Sequence, residues 1–320
     1  MTRVYLDHNA TTPLDPRVRD AMLPWMGERW GNPSSIHRSG QEAREAVEEA
    51  RARVAALLGA RPEDTVFTSS GTEANNAVLR SAAAAAGSGA HYVVSALEHP
   101  SVRATAADLE ASGASVTVVR PERDGVVRAE AVEAALRDQT RLACLMLASN
   151  EIGTLQPVAE TARRCRERGV RLHCDAVQAA GKIPVSVAEL GADAVTLGAH
   201  KFHGPLGAAA LWVRPGFELR PFLLGGGQER RRRASTENVA AIVGFGEAAR
   251  HAAAELERRR AHLESLRDRL EAGLASIEDV RVHCQGSARL PNTSHFAVAG
   301  VEGEALVIRL DLAGFAVSTG

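Results

Sequence analysis

A lysine set between two histidines is the first chemical signal in this chain. Lys201 directly follows the apolar run 194–198, with His200 before it and His203 two positions later. Among 38 Lys and Arg residues the only other lysine is Lys182. Where charge alone is needed the chain uses arginine, so a retained lysine points to a task arginine cannot perform. That task is losing a proton and attacking a carbonyl carbon. Burial among polar donors lowers an amine's pKa, and the neutral amine condenses with carbonyls to form Schiff bases. Lys182, between Gly181 and Ile183-Pro184, reads as a turn residue.

Two further groups could serve such an amine. Asp175 ends the apolar run 170–174. A carboxylate there either pairs with a protonated ring nitrogen or caps the following turn. Residues 68–76 run Thr-Ser-Ser-Gly-Thr-Glu-Ala-Asn-Asn, a strand end, a turn and a helix start. Free N–H groups and the positive end of a helix dipole attract an anion there, with the Thr72 hydroxyl as ligand or cap; the alternative is an ordinary capped connection. His173, Cys174, Asp175, His200 and His203 are also nominal metal ligands. However, His200 and His203 lack the i, i+4 spacing of a helical zinc motif, and Gly204-Pro205 breaks any helix, so no metal site is expected. Residues 225–238 form a glycine hinge followed by four arginines, suited to phosphate, to RNA or to solvent. Neither GxGxxG nor GxxxxGK[ST] occurs, which disfavours a dinucleotide fold or P-loop.

These residues need a scaffold, and the hydrophobic pattern supplies one. Strands are expected at 65–68, 92–96, 115–119, 142–148, 170–174, 194–198 and 208–213. Between them lie amphipathic segments at 73–86, 101–112, 128–137 and 157–168; the clearest, earlier one puts Ala43, Ala46, Val47, Ala50, Val54, Leu57 and Leu58 on one face before Gly59. Alternating strands and helices imply an α/β fold, a mostly parallel seven-stranded sheet with helices on both faces and ligands beyond the carboxyl ends of the strands. A long helix over 239–275, charged from 255 to 269, leads to strands at 280–283 and 293–298 and a helix at 302–312. This divides the chain into a large domain, 15–250, and a smaller αβ domain from 1–14 and 251–320 whose C-terminal part is missing.

Composition narrows the classes. The chain has 320 residues, 45% hydrophobic and 24% charged, with a net charge of −1. That balance offers no field for a nucleic acid or an anionic membrane. No apolar run approaches a membrane span or a signal-peptide core, and four scattered cysteines fit a reducing compartment, so a cytoplasmic location is expected. With aromatics at 4%, the core must be built from Ala, Val and Leu.

In register, these segments resemble the class V, fold-type I pyridoxal-phosphate enzymes, and closely the NifS/IscS-type cysteine desulfurases. The likeness rests on residues 6–13, 31–35, 68–76, 98–100, 150–153, 175–178, 200–201 and 225–238, in the family's order. The resemblance implies that Lys201 holds pyridoxal 5'-phosphate (PLP) covalently. Asp175 would pair with its pyridinium nitrogen, Gln178 with its phenolic oxygen, and His99 would stack on the ring and move protons. Asn150 would lie by the ring and the substrate carboxylate. Gly71, Thr72 and His200 would cradle the phosphate, joined by Thr236 from the second subunit of a homodimer. The implied reaction takes L-cysteine to alanine and passes sulfur to an enzyme thiol, serving sulfur-acceptor or Fe–S scaffold proteins. Gly198 stands where many relatives have a phosphate-binding serine, and Ser235 where glycine is usual. The family's nucleophilic cysteine follows a Ser/Thr-Gly pair like Thr319-Gly320, beyond residue 320, as does its carboxylate-binding arginine. None of Cys144, Cys165, Cys174 and Cys284 aligns with that nucleophile. The 320 residues alone are therefore expected to bind PLP but to be desulfurase-deficient. A selenocysteine lyase, an aminotransferase or a non-catalytic PLP-binding scaffold shares the same cofactor residues.

Overall fold

The computed structural model describes residues 3–86 and 89–319; Met1, Thr2, Gly87, Ser88 and Gly320 lie outside the described residues. The chain opens with β1 (Val4–Tyr5), α1 (Pro16–Met26) and α2 (Arg38–Leu57). Next come β2 (Thr65–Thr68), α3 (Gly71–Ala84), β3 (His91–Ser95), α4 (Pro100–Ala111) and β4 (Ser115–Val119). They are followed by α5 (Ala129–Ala135), β5 (Thr140–Cys144), α6 (Val158–Glu167), β6 (Arg171–Asp175) and α7 (Val187–Leu190). The sheet is completed by β7 (Ala194–Gly198) and β8 (Ala209–Val213), before α8 (Val239–Leu274). The last elements are β9 (Val280–Val282), β10 (Phe296–Val298), α9 (Gly303–Leu312) and β11 (Phe315–Ala316).

Seven of these strands form one sheet, as the pattern predicts, and their order in it is β2-β8-β7-β6-β5-β3-β4. The pairs from β7 through β6, β5 and β3 to β4 are parallel, and only β8 runs against its two neighbours. Because β8 reverses between them, β2 points the same way as the parallel set. The carboxyl ends of β2, β3, β5, β6 and β7 therefore share one edge.

Side chains alternate between two cores, one on each face of the sheet. Tyr92, Val94, Leu142, Cys144, Leu211 and Val213 pack with α3 and α4 residues such as Val78, Leu79 and Val102. Val93, Ala143, Leu145, Ala210 and Trp212 pack on the other face with Val47, Val54, Ala162 and Phe245. This period of two, buried on both sides, is the signature of a strand covered by helices on both faces. The second core is tight because side chains are small. A Cβ on Gly246 of α8 would stand 2.6 Å from Ala50 Cα of α2, so glycine is required at this crossing.

The elements that the sequence pattern misses have short or interrupted signals. Helix α1 starts at a good cap, Asp15, whose side chain accepts from Arg17 N, with Pro16 in the first turn; Pro24 near its end obscures the periodicity. Strands β1 and β11 have two residues each and pair parallel, which no window can detect. The expected strand over 142–148 ends at Cys144, although Leu145 and Leu147 still donate to carbonyls of β6, at His173 and Asp175. Helix α8 is solvated only in part: Val239, Ala241, Ile242, Phe245 and Ala249 are buried, and its charged second half is largely exposed.

Candidate active site

The edge at the strands' carboxyl ends collects most of the residues singled out above. Asp175 is the last residue of β6 and is buried. Its Oδ1 accepts from Val177 N at 2.9 Å and its Oδ2 from Asn75 Nδ2 at 2.7 Å. The same Nδ2 donates to Ser101 Oγ at 2.9 Å, which lies 2.8 Å from His99 Nδ1. Ser101 N also donates to that Nδ1, at 3.1 Å, because His99 caps α4. Since an amide N–H only donates, Nδ1 is the unprotonated nitrogen and Nε2 carries the proton. Burial lowers the His99 pKa, so the ring is neutral near pH 7. A line of hydrogen bonds thus runs from a buried carboxylate to an imidazole with a defined tautomer.

Lys201 ends the single 3-10 turn, Ala199–Lys201, that follows β7. Burial lowers its pKa, with Asp175 and Asp7 pulling the other way. Its Nζ donates to the main-chain oxygens of Asn9 and, at 2.9 Å, Ala10. The N-terminal segment is laid over the site by Thr12, whose N and Oγ1 donate to His200 O at 2.9 and 2.8 Å. His200 is driven down to about 4, chiefly by burial and then by the two lysines, so it too is neutral. Gln178 Nε2 donates to Asn9 O at 2.8 Å. Asn150 is held by its main chain, where O accepts from Asn9 Nδ2 at 3.1 Å.

At the start of α3, Ser70 caps by accepting from Glu73 N at 3.1 Å. No hydrogen bond among the described residues uses the amides of Gly71 or Thr72. A Cβ on Gly71 would lie 3.0 Å from Val177 Cγ2, so this helix start sits against the turn after Asp175. Two unused amides at a helix N-terminus, a buried carboxylate alongside and a deprotonatable amine fit a flat ring with an anionic arm. They are the donors and the acceptor that PLP requires. Gly198 leaves room there: a Cβ would stand 3.2 Å from Val177 Cγ1 and 3.6 Å from His200 Cδ2.

Thr236 is exposed, on the loop between the Glu229–Arg231 turn and α8, and is not joined to this cluster in the single chain. The loop itself is anchored. Arg233 Nε bonds Glu73 Oε1 of α3 at 2.8 Å, and the buried Arg51 grips Glu229 at 2.6 and 2.9 Å. Ser235 has φ 97°, a backbone that glycine adopts at little cost. Ser235→Gly is expected to stabilise the protein by about 1 kcal/mol, read as a higher denaturant midpoint. A lower midpoint would show that the serine side chain matters more than the strain.

Sequence reasoning missed several members. Lys182 is buried rather than at an exposed turn, with Nζ 2.8 Å from Gln178 Oε1. Burial and the nearby Lys201 bring its pKa down to about 7. Asn75 and Ser101 bridge Asp175 to His99. Glu98, also buried, is pushed up to about 8 by burial and by Asp175, and so stays protonated beside that carboxylate. Asn9 contacts more of the site than any residue chosen for its chemistry. His173, a nominal metal ligand, is buried with Nε2 3.0 Å from Thr196 Oγ1, and among the described residues no three His, Cys, Asp or Glu side chains are grouped to hold a metal. No described helix is long and apolar enough to cross a membrane.

The sequence profile of the aminotransferase class-V family matches residues 4–320. The cysteine desulfurase IscS of Dictyoglomus turgidum is 44% identical over 319 residues, 99% of this chain and 81% of that protein. The chain thus spans about four fifths of that relative's length. A solved NifS-like protein superposes with a TM-score of 0.97 at 38% identity, covering 100% of this chain and 88% of that one. Another, SspA in complex with cysteine, has a TM-score of 0.87 at 31% identity, covering 100% and 89%.

Proposed function

The chain belongs to the class-V aminotransferase family, among the cysteine desulfurases of NifS/IscS type with PLP fold type I, and on that premise we propose that it binds PLP at the strand-end cluster and acts on L-cysteine. The observation that carries this reading is the line from His99 through Ser101 and Asn75 to Asp175, with the Lys201 amine within electrostatic reach. When bound, PLP supplies an electron-accepting ring that stabilises negative charge on an amino acid's α-carbon.

In this reading Lys201 would hold the cofactor through its amine. Asp175, fixed from both sides, would keep a proton on the ring nitrogen. Gln178 would donate to the phenolic oxygen, and His99 would present its Nε2 proton and stack on the ring. Asn150 would orient the ring and the substrate carboxylate. The amides of Gly71 and Thr72 would hold the phosphate with His200 and the partner subunit's Thr236. Large apolar side chains support a homodimer: Met26, Trp30, Ile36, Leu206 and Leu224 are 69, 79, 89, 71 and 86% exposed in the single chain. Residues 15–250 would form the cofactor domain, with 1–14 and 251–320 the smaller one. A cytoplasmic location and delivery of sulfur to acceptor or Fe–S scaffold proteins complete the proposal.

The thiols decide how far the reaction runs. Burial pushes Cys144 and Cys174 well above the ordinary thiol value, Cys165 to about 12, and raises Cys284 as well. A nucleophilic thiol needs the opposite shift. These shifts support a reading in which the sulfur-accepting thiol is none of these four, so that residues 1–320 alone would bind PLP without useful desulfurase turnover. The test is to load the 320-residue chain with PLP, follow its visible absorbance, and measure sulfide and alanine from L-cysteine. Stoichiometric binding with sulfide near background is expected, unchanged when all four cysteines become serine. Lack of a visible band would overturn the cofactor assignment. Robust sulfide release that survives the four replacements would overturn the sulfur route. Selenide from L-selenocysteine with no sulfide from L-cysteine would favour a selenocysteine lyase.

A further inference from the structure

Lys182 is buried, yet among the described residues it forms no salt bridge with any carboxylate. Its neighbours are amides. Nζ lies 2.8 Å from Gln178 Oε1 and 3.5 Å from Asn9 Oδ1. The charged group nearest in effect is Lys201, a repulsive one. Burying an amine without a counter-ion is costly, and an apolar side chain of the same length would fill the space more cheaply. The lysine must therefore do something a methionine could not.

Its geometry shows what. A glutamine amide can be set in two orientations related by a flip, and its contacts choose between them. Here Oε1 faces a group that donates, the Lys182 amine. Nε2 faces a group that can only accept, the carbonyl oxygen of Asn9. That same oxygen receives Lys201 Nζ, so Nε2 is turned toward the reactive lysine. We propose that Lys182 is a positioning residue that locks the Gln178 amide with its donor facing Lys201, and so sets the hydrogen bond offered to the phenolic oxygen of PLP. This rests on the cofactor reading above and adds to it a residue acting through Gln178. Burial brings the amine down to about 7, and in either protonation form it can donate to Oε1.

A donor to the phenolic oxygen stabilises its anion, so losing or misdirecting that donor raises the pH at which the lysine-bound cofactor loses its proton. The experiment is a pH titration of the visible absorbance of the PLP-loaded full chain, compared among wild type, Lys182→Met, Gln178→Leu and the double variant. Each single variant is expected to raise the midpoint by about one pH unit, a tenfold change in proton affinity. The double variant is expected to move it no further than Gln178→Leu alone. An unchanged midpoint in Lys182→Met, with a shifted one in Gln178→Leu, overturns the proposal and leaves the cofactor site standing. Additive shifts also overturn it, since Lys182 would then act independently of Gln178. Absence of a lysine-linked band in wild type counts instead against the cofactor reading. Should Lys182→Met fail to fold, Lys182→Arg placed in the Gln178→Leu background decides. No movement on adding the arginine supports the proposal, and a movement overturns it.

Discussion

Lys201→Arg is expected to abolish the visible absorbance of the lysine-linked cofactor while leaving the fold and its positive charge in place. The guanidinium keeps its proton at any working pH, so it has no lone pair for a carbonyl carbon. The wild-type amine is the opposite case, because burial lowers its pKa and shifts it toward the nucleophilic form. Borohydride reduction of the loaded wild type, followed by peptide mapping, should place the pyridoxyl group on Lys201. Lys182 is the instructive control, since its amine is nearby and its pKa is brought down to about 7. A label on Lys182, or a normal band in Lys201→Arg, would transfer the attachment point. Because covalent capture depends on this one amine, the expected loss is complete rather than graded.

The second large effect lies away from the chemistry. Glu229→Ala is expected to cost about 3–5 kcal/mol of folding stability, because it leaves the buried Arg51 guanidinium with only Thr65 O and the partly exposed Glu48 carboxylate as partners. Arg51 and Glu229 side chains are 5% and 2% exposed and are paired through two short contacts. The same carboxylate accepts from Phe67 N at 2.8 Å, and the Arg51 guanidinium lies over the Phe67 ring. The pair also pins three consecutive residues with positive φ, Glu229, Arg230 and Arg231 at 46°, 56° and 64°. Releasing that strained turn offsets part of the loss, which sets the net effect toward the lower end of the range. Denaturant unfolding measures it. Replacing both partners, Arg51→Met with Glu229→Leu, should recover part of the loss, since no charge is then left buried alone. A Glu229→Ala chain as stable as wild type would mean that Glu48 and Thr65 O suffice for Arg51.

The reading of the fold from sequence succeeded where a strand is covered on both faces and flanked by a long helix. Runs such as 194–198 have no other use for so many small apolar side chains. It failed for Val4–Tyr5 and Phe315–Ala316, whose pairing joins opposite ends of the chain and leaves no local periodicity. At the site, Asp175 and Lys201 stand out in the sequence because one ends a strand and the other ends the short turn that follows one, where side chains meet a ligand. Asn75 and Ser101 were not, since their roles depend on which helices lie across the sheet from Asp175. Lys182 is the telling miss. The scarcity of lysine applied to it as much as to Lys201, yet a Gly-Lys-Ile-Pro stretch looks like a surface turn. Only packing shows that this turn faces inward.

Asn9 also constrains when the site can exist. Its side chain meets Thr293, 284 positions away, and its carbonyl meets Lys201, 192 positions away. At ~5–20 residues per second, a ribosome needs roughly 15–60 s to travel from one end of that contact to the other. The central sheet draws its strands from residues 65–213, so most of its pairing partners are translated well before Thr293. The two segments that meet at Asn9 are thus made before and after that sheet, and joining them requires closing a loop of 284 residues. A reactive amine poised on an emerging chain would condense with any aldehyde it met. Here the contact that fixes Asn9 over it is completed only after Thr293 has been made, well after the central sheet.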